Sequence, residues 1–112
     1  MLLIASGCTT QKEIEKTKIN VKLIFEAENY YKELNVKVEK NSNAFDVLNA
    51  NAKIEFKQYS FGKFIESING IKPKENEYWA IYVNGKYSEK GIELIQLTDD
   101  TELKFKIEKF SN

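Results

Sequence analysis

The sequence predicts an α+β fold: one mixed β-sheet with a single helix packed across one face. Three observations carry this reading. Period-two strand patterning recurs at both ends of the chain, in Ile19–Phe25 and again in Leu103–Ile107. The stretch with helical spacing, Ala44 to Ala52, falls early. Between them YWAIYVNGK, Tyr78 to Lys86, is a nearly unbroken aromatic and β-branched run that meets Asn84-Gly85, a strong hairpin signal.

Taken in order, Ile19, Val21, Leu23 and Phe25 share one strand face and Asn20, Lys22 and Glu26 the other, with Ile24 the exception. Glu28-Asn29 followed by Tyr30-Tyr31 reads as a turn, after which Leu34, Val36 and Val38 alternate with Asn35, Lys37 and Glu39 as the returning strand of an antiparallel hairpin. Asn41-Ser42-Asn43 breaks that strand. Asn43 is placed to cap a helix of about two to three turns, with Asp46 at the third helical position as in a capping box. Ala44, Val47, Leu48 and Ala52 form its narrow apolar stripe, widened by Phe45, which must lie on the sheet.

Ile54, Phe56 and Gln58 oppose Glu55, Lys57 and Tyr59 in a less regular strand, Gly62-Lys63 marks its turn, and FIESI from Phe64 continues as a short strand. Asn69-Gly70 and Pro73 close a loop before the Trp79 strand. From Lys86 to Leu97 the patterning is weak, and Gly91 suggests a backbone irregularity in an irregular connection. Thr98-Asp99-Asp100 is a turn, and Leu103, Phe105 and Ile107 build the final strand. The order β-β-α, then strands with the last returning beside the first, is β-grasp-like.

Composition narrows function by exclusion. The 112 residues suit one small domain with a leader. Seventeen basic residues, all lysine, balance seventeen acidic ones with no basic block, which argues against nucleic acid as a partner. Lack of arginine removes the bidentate fork for phosphates and carboxylates, and lack of histidine removes the usual neutral-pH base and the commonest nitrogen ligand for a metal. Asp99-Asp100 has no apolar pocket near it to raise one carboxyl, so no catalytic residues, no metal site and no enzyme are expected.

Cys8, the one cysteine, takes its meaning from position. The run MLLIASGC resembles a bacterial-type lipobox, Ala5-Ser6-Gly7-Cys8, in which the leader is cut before the cysteine and its sulfur carries diacylglycerol. Ala5 stands where leucine is usual. Seven residues without a charged start are short of a complete signal peptide, so further leader sequence is expected upstream. Residues 1–8 then form a truncated leader, the polar 9–18 a tether, and 19–109 the domain, lipid-anchored on the extracellular face of a cell membrane.

Strand parity sets Trp79, Ile81 and Val83 on the helix face and Tyr78, Ala80 and Tyr82 on the other. Trp79 is therefore assigned to the core. Tyr78 and Tyr82, with Tyr59, Tyr87 and Phe64 as neighbours, are the candidates for an aromatic ligand surface, and cross-strand packing on an open sheet is the plainer alternative.

From Gly62 onward the chain resembles the transcobalamin-like C-terminal domain family of the soluble-ligand-binding β-grasp group. The resemblance rests on Phe64-Ile65, Ser67-Ile68-Asn69-Gly70, YWAIYVNGK, Gly91, Leu97 to Asp100 and Leu103-Lys104-Phe105, with Asp99 where relatives often have glycine. It implies a domain that covers one face of a corrin ring, hence cobalamin or another corrinoid as ligand and no intrinsic cofactor. In such carriers a separate helical domain covers the other face, so here a protein partner would supply the second wall, and no histidine is present to ligate cobalt. The alternative is an envelope-displayed interaction or structural domain without a small-molecule ligand.

Overall fold

A computed structural model describes residues 17–110. In chain order it contains β1 (Lys18–Ala27), β2 (Tyr30–Glu39), β3 (Ser42–Asn43), α1 (Ala44–Asn51), β4 (Ile54–Tyr59), β5 (Gly62–Ile68), β6 (Glu77–Val83), β7 (Lys86–Tyr87), a 3-10 turn (Ile92–Leu94), β8 (Gln96–Leu97) and β9 (Thr101–Lys109). A five-stranded sheet runs β2-β1-β9-β6-β7. It is mixed, because β1 lies parallel to β9 while the other pairings are antiparallel. Cys8 and the leader and most of the tether lie outside the described residues.

The β1–β2 connection is tighter than the sequence reading. Tyr30 and Tyr31 belong to β2, opposite Ala27 and Glu26, and the turn is Glu28-Asn29 alone. Asn29 takes φ +61°, a left-handed conformation asparagine tolerates, so two residues reverse the chain. At the other hairpin Asn84 and Gly85 have φ +51° and +83°, the pair of positive angles a primed turn requires.

Asn43 Oδ1 accepts from the Phe45 backbone N–H at 2.9 Å and starts α1. Ala44, Phe45, Val47 and Leu48 turn inward onto the sheet face built by Ile19, Val21, Leu23 and Phe25 of β1 with Leu103 and Phe105 of β9. Phe25 and Phe105 are register partners and stack at 5.6 Å. The β3–β8 ladder and the Ala44 N–H donating to Ile95 O close the mouth of this core beside the helix start.

β4 and β5 do not join the main sheet. They form a separate two-stranded hairpin, here termed the arm, whose root is buried through Ile65, Ser67 and Ile68 while most of β4 is exposed. In β4 the apolar residues Ile54 and Phe56 give way to Lys57 and Gln58, a run too short to give the strand an apolar face along its length that would hold it inside a sheet. Its turn is Ser60-Phe61 rather than Gly62-Lys63, so Phe61 stands at the tip and Gly62 opens β5 with φ +134°.

Trp79 is 4 % exposed and shares the core with Val47 and Leu48, and its indole N–H donates to Ile71 O at 3.2 Å. Trp79→Ala removes that volume and that donor, and is expected to cost about 3–5 kcal/mol. Urea unfolding followed by far-UV circular dichroism measures it; a loss under about 1 kcal/mol would put the indole outside the core.

Candidate functional site

Between the arm and the β6–β7 hairpin lies a cleft of about 460 Å³. Phe61, Phe64 and Ile65 form the arm wall; Tyr78, Trp79 and Ile81 form the floor from β6; Tyr87, Gly91, Ile92 and Leu94 form the third side, with Lys63, Glu89 and Lys90 at polar positions. Phe61 is 73 % exposed, Leu94 59 % and Tyr87 49 %. Large apolar side chains left in water around one concavity are what a ligand or partner surface requires, since each would otherwise be more stable buried.

The arm presents two different faces. Phe56, which pairs with Ile65, meets the Phe45 ring edge to face at 5.0 Å, and the Lys63 ammonium sits 5.2 Å from both ring centroids. These contacts seat the arm on α1. The opposite face carries Tyr59 and Phe64, whose rings meet at 6.4 Å, and Phe61 stacks on Tyr59 at 5.1 Å. Lys63 lines the cleft, but its ammonium is held over the Phe45 and Phe56 rings and on Gln58 Oε1, which leaves Lys90 and Glu89 as the charged groups of the lining and its electrostatic character mild and mixed.

The tyrosines singled out in the sequence separate into two groups. Tyr78, Tyr82 and Tyr87 come together on the sheet: the Tyr78 and Tyr87 hydroxyls lie 3.0 Å apart and the Tyr82 and Tyr87 rings meet edge to face at 5.7 Å. Of these, Tyr78 and Tyr87 line the cleft, whereas the Tyr82 hydroxyl is committed to Glu108. Tyr59 is on the arm and backs the cleft-lining Phe61 and Phe64. Sequence reasoning misses Phe61 and Leu94, and also Phe110, which stacks on Tyr78 at 4.7 Å, and it assigns Ile81 to the helix face alone. The available signal for Phe61 was an aromatic residue immediately before a glycine in a polar turn, where nothing local can bury it.

Beyond the aromatic cleft, a charged groove of about 470 Å³ runs past Glu26, Lys72, Glu77 and Lys106. Glu26 pairs with Lys104 at 3.2 Å and Lys106 at 3.7 Å, half-exposed ion pairs between β1 and β9. Among the described residues no group of three or more Asp, Glu, Cys or His side chains is placed to hold a metal ion, and no helix is long and apolar enough to cross a membrane.

Hydrogen bonding sets the ionisation of the tyrosine cluster. Its bond to Tyr87, then burial, pushes Tyr78 from the ordinary 10.0 up to about 12; the bond to the Glu108 carboxylate raises Tyr82. Tyr78 therefore keeps its proton in the folded chain where the unfolded chain has lost it. Its contribution is complete below pH 10.0 and is lost as pH rises toward about 12. Absorbance titration of tyrosinate should show several groups titrating above 10.0, the latest of which, near 12, moves back toward 10.0 in Tyr87→Phe while the raised Tyr82 and Tyr31 stay late; an unchanged latest group would assign the shift elsewhere.

Solved structures share this fold. Haptocorrin, in its crystal structure in complex with Cbi, superposes with a TM-score of 0.73 at 19 % identity, covering 84 % of this chain and 26 % of that one. The chain thus corresponds to about a quarter of haptocorrin. A protein of Ruminococcus gnavus ATCC 29149 provisionally described as metal-binding superposes with a TM-score of 0.70 at 10 % identity, over 83 % of this chain and 99 % of its own. At these identities the likeness is one of fold. No curated protein matches the sequence. Residues 41–109, from the start of the helix region through β9 and including every wall of the cleft, match the model of a domain of unknown function, and the chain belongs to that family, DUF4430.

Proposed function

We propose that the chain is a small-molecule-binding module of β-grasp type whose ligand is a corrinoid, held at a membrane surface by a lipidated Cys8. The observation that carries the ligand reading is the concavity itself: exposed Phe61, Tyr87 and Leu94 surround one cleft, on a fold shared with a part of haptocorrin. The parallel closure of β1 on β9 with α1 across one face supports the β-grasp reading. Flat aromatic and aliphatic walls suit the edge or face of a large ring, and Lys90 and Glu89 can meet polar substituents around it.

The chain has no histidine to give cobalt an imidazole ligand, so contact is by apolar surface and hydrogen bonds. The described residues provide one wall for a ring that needs two to be enclosed. Affinity for the module alone is expected near micromolar, about −8 kcal/mol, and a protein partner supplying the second wall would raise it.

Calorimetric titration of cobinamide and cobalamin into Cys8→Ser protein tests this reading. Binding near micromolar, weakened about tenfold or more by Phe61→Ala and by Tyr87→Ala, is the expected result. Absence of heat at high micromolar protein, or binding indifferent to both substitutions, would favour the envelope-displayed interaction domain. For the anchor, two acyl chains on Cys8 meet the threshold of stable membrane attachment. In cells, Cys8→Ser in the gene with its complete leader should release the protein from the membrane fraction; retention without processing would overturn the lipobox reading.

A further inference from the structure

Glu93 sits in the 3-10 turn beside the cleft, and its carboxylate reaches across to the arm, where Oε2 accepts the Lys63 backbone N–H at 2.7 Å. The carbonyl of the same residue accepts from Asn43 Nδ2 at 2.6 Å, while Asn43 Oδ1 caps α1. One chain of hydrogen bonds therefore runs from the helix start through the 3-10 turn to the first residues of β5. The other carboxylate oxygen, Oε1, is shielded from solvent and meets no donor among the described residues.

Two glycines make room for this carboxylate. Gly62 needs to be glycine for its own backbone, at φ +134°. Gly91 does not: its φ −61° and ψ 153° are open to any L-residue. A Cβ added at Gly91 would instead stand 2.7 Å from Glu93 Oε1. The absent side chain there serves the carboxylate rather than the backbone, which replaces the backbone irregularity expected from the sequence.

We infer that Glu93 is a positioning residue, a carboxylate latch that pins the aromatic arm against the cleft, with Gly91 as its seat. The Phe45–Phe56–Lys63 contacts tie one face of the arm to α1, and a charge-assisted bond to the backbone amide one residue beyond Gly62 ties the strand itself to the 3-10 turn, setting Phe61 and Phe64 over the cleft. The consequence for ligand binding rests on the reading of the cleft given above; the latch itself does not.

Amide hydrogen exchange on the full chain without ligand tests the latch. Glu93→Ala should speed exchange at Lys63 about tenfold or more, the loss expected for a hydrogen bond to a charged acceptor, and should shift the Lys63 amide proton upfield. Glu93→Gln retains an acceptor of the same shape and should keep Lys63 protected. Gly91→Ala should speed Lys63 exchange in the parent but add nothing in the Glu93→Ala background, because there is then no carboxylate to displace. An unchanged Lys63 amide in Glu93→Ala, or a Gly91→Ala effect of equal size in both backgrounds, would overturn the latch. Cobinamide titration of the same variants separates the two readings: a loosened arm with unaltered corrinoid binding would leave the latch standing and refute the arm as a ligand wall.

Discussion

The parallel pairing of β1 with β9 is the constraint on which the rest of the molecule depends. It brings the first and last strands of the domain side by side and sets Phe25 against Phe105 at the centre of the sheet. Because parallel neighbours cannot be joined by a tight turn, the chain must cross over before β9 can lie beside β1. β2 pairs along the outer edge of β1, α1 and the arm then leave the sheet, and β6 re-enters it next to β9. α1 lies over the β1–β9 seam because that is where apolar residues from both strands face the same way, and β6 completes the sheet on the far side of β9.

That arrangement leaves the arm as an outlier with a buried root and an exposed tip. A two-stranded ribbon is marginal by itself, so its position depends on what it touches. Three kinds of contact hold it here: Ile65 and Ile68 in the core, the Phe45–Phe56–Lys63 cluster over the helix, and the Glu93 carboxylate on the Lys63 amide. The cleft exists because these contacts tie down one side of the ribbon and leave the face bearing Tyr59, Phe61 and Phe64 without a covering layer. Its opposite wall is the Asn84-Gly85 hairpin and the irregular segment after it, where weak sequence patterning becomes a chain path that follows the cleft's rim.

The two faces of β6 divide structural from surface work. Trp79 goes into the core and gives its indole N–H to Ile71 O, while Tyr78 joins Tyr87 and Phe110 and Tyr82 joins Glu108. A phenol is suited to that boundary, since its ring packs and its hydroxyl finds a partner. Ile81 belongs to both, partly buried against the core and lining the cleft.

The sequence by itself determined the elements whose information is local. Alternation in β1, β2 and β9, the Asn43 cap, the primed turn at Asn84-Gly85 and the inward face of Trp79 follow from side-chain parity and backbone preference, and each is present. The same parity sets Tyr78 and Tyr82 away from the helix. What parity could not say is which strands become neighbours. The separation of β4–β5 from the main sheet, the position of Phe61 at the arm's tip rather than in a strand, and the division of Tyr59 from the Tyr78–Tyr82–Tyr87 cluster all depend on contacts between residues far apart in the chain. Gly91 shows the reason most directly. Its local backbone is ordinary, and only the carboxylate folded against it in the tertiary structure explains why no side chain stands there.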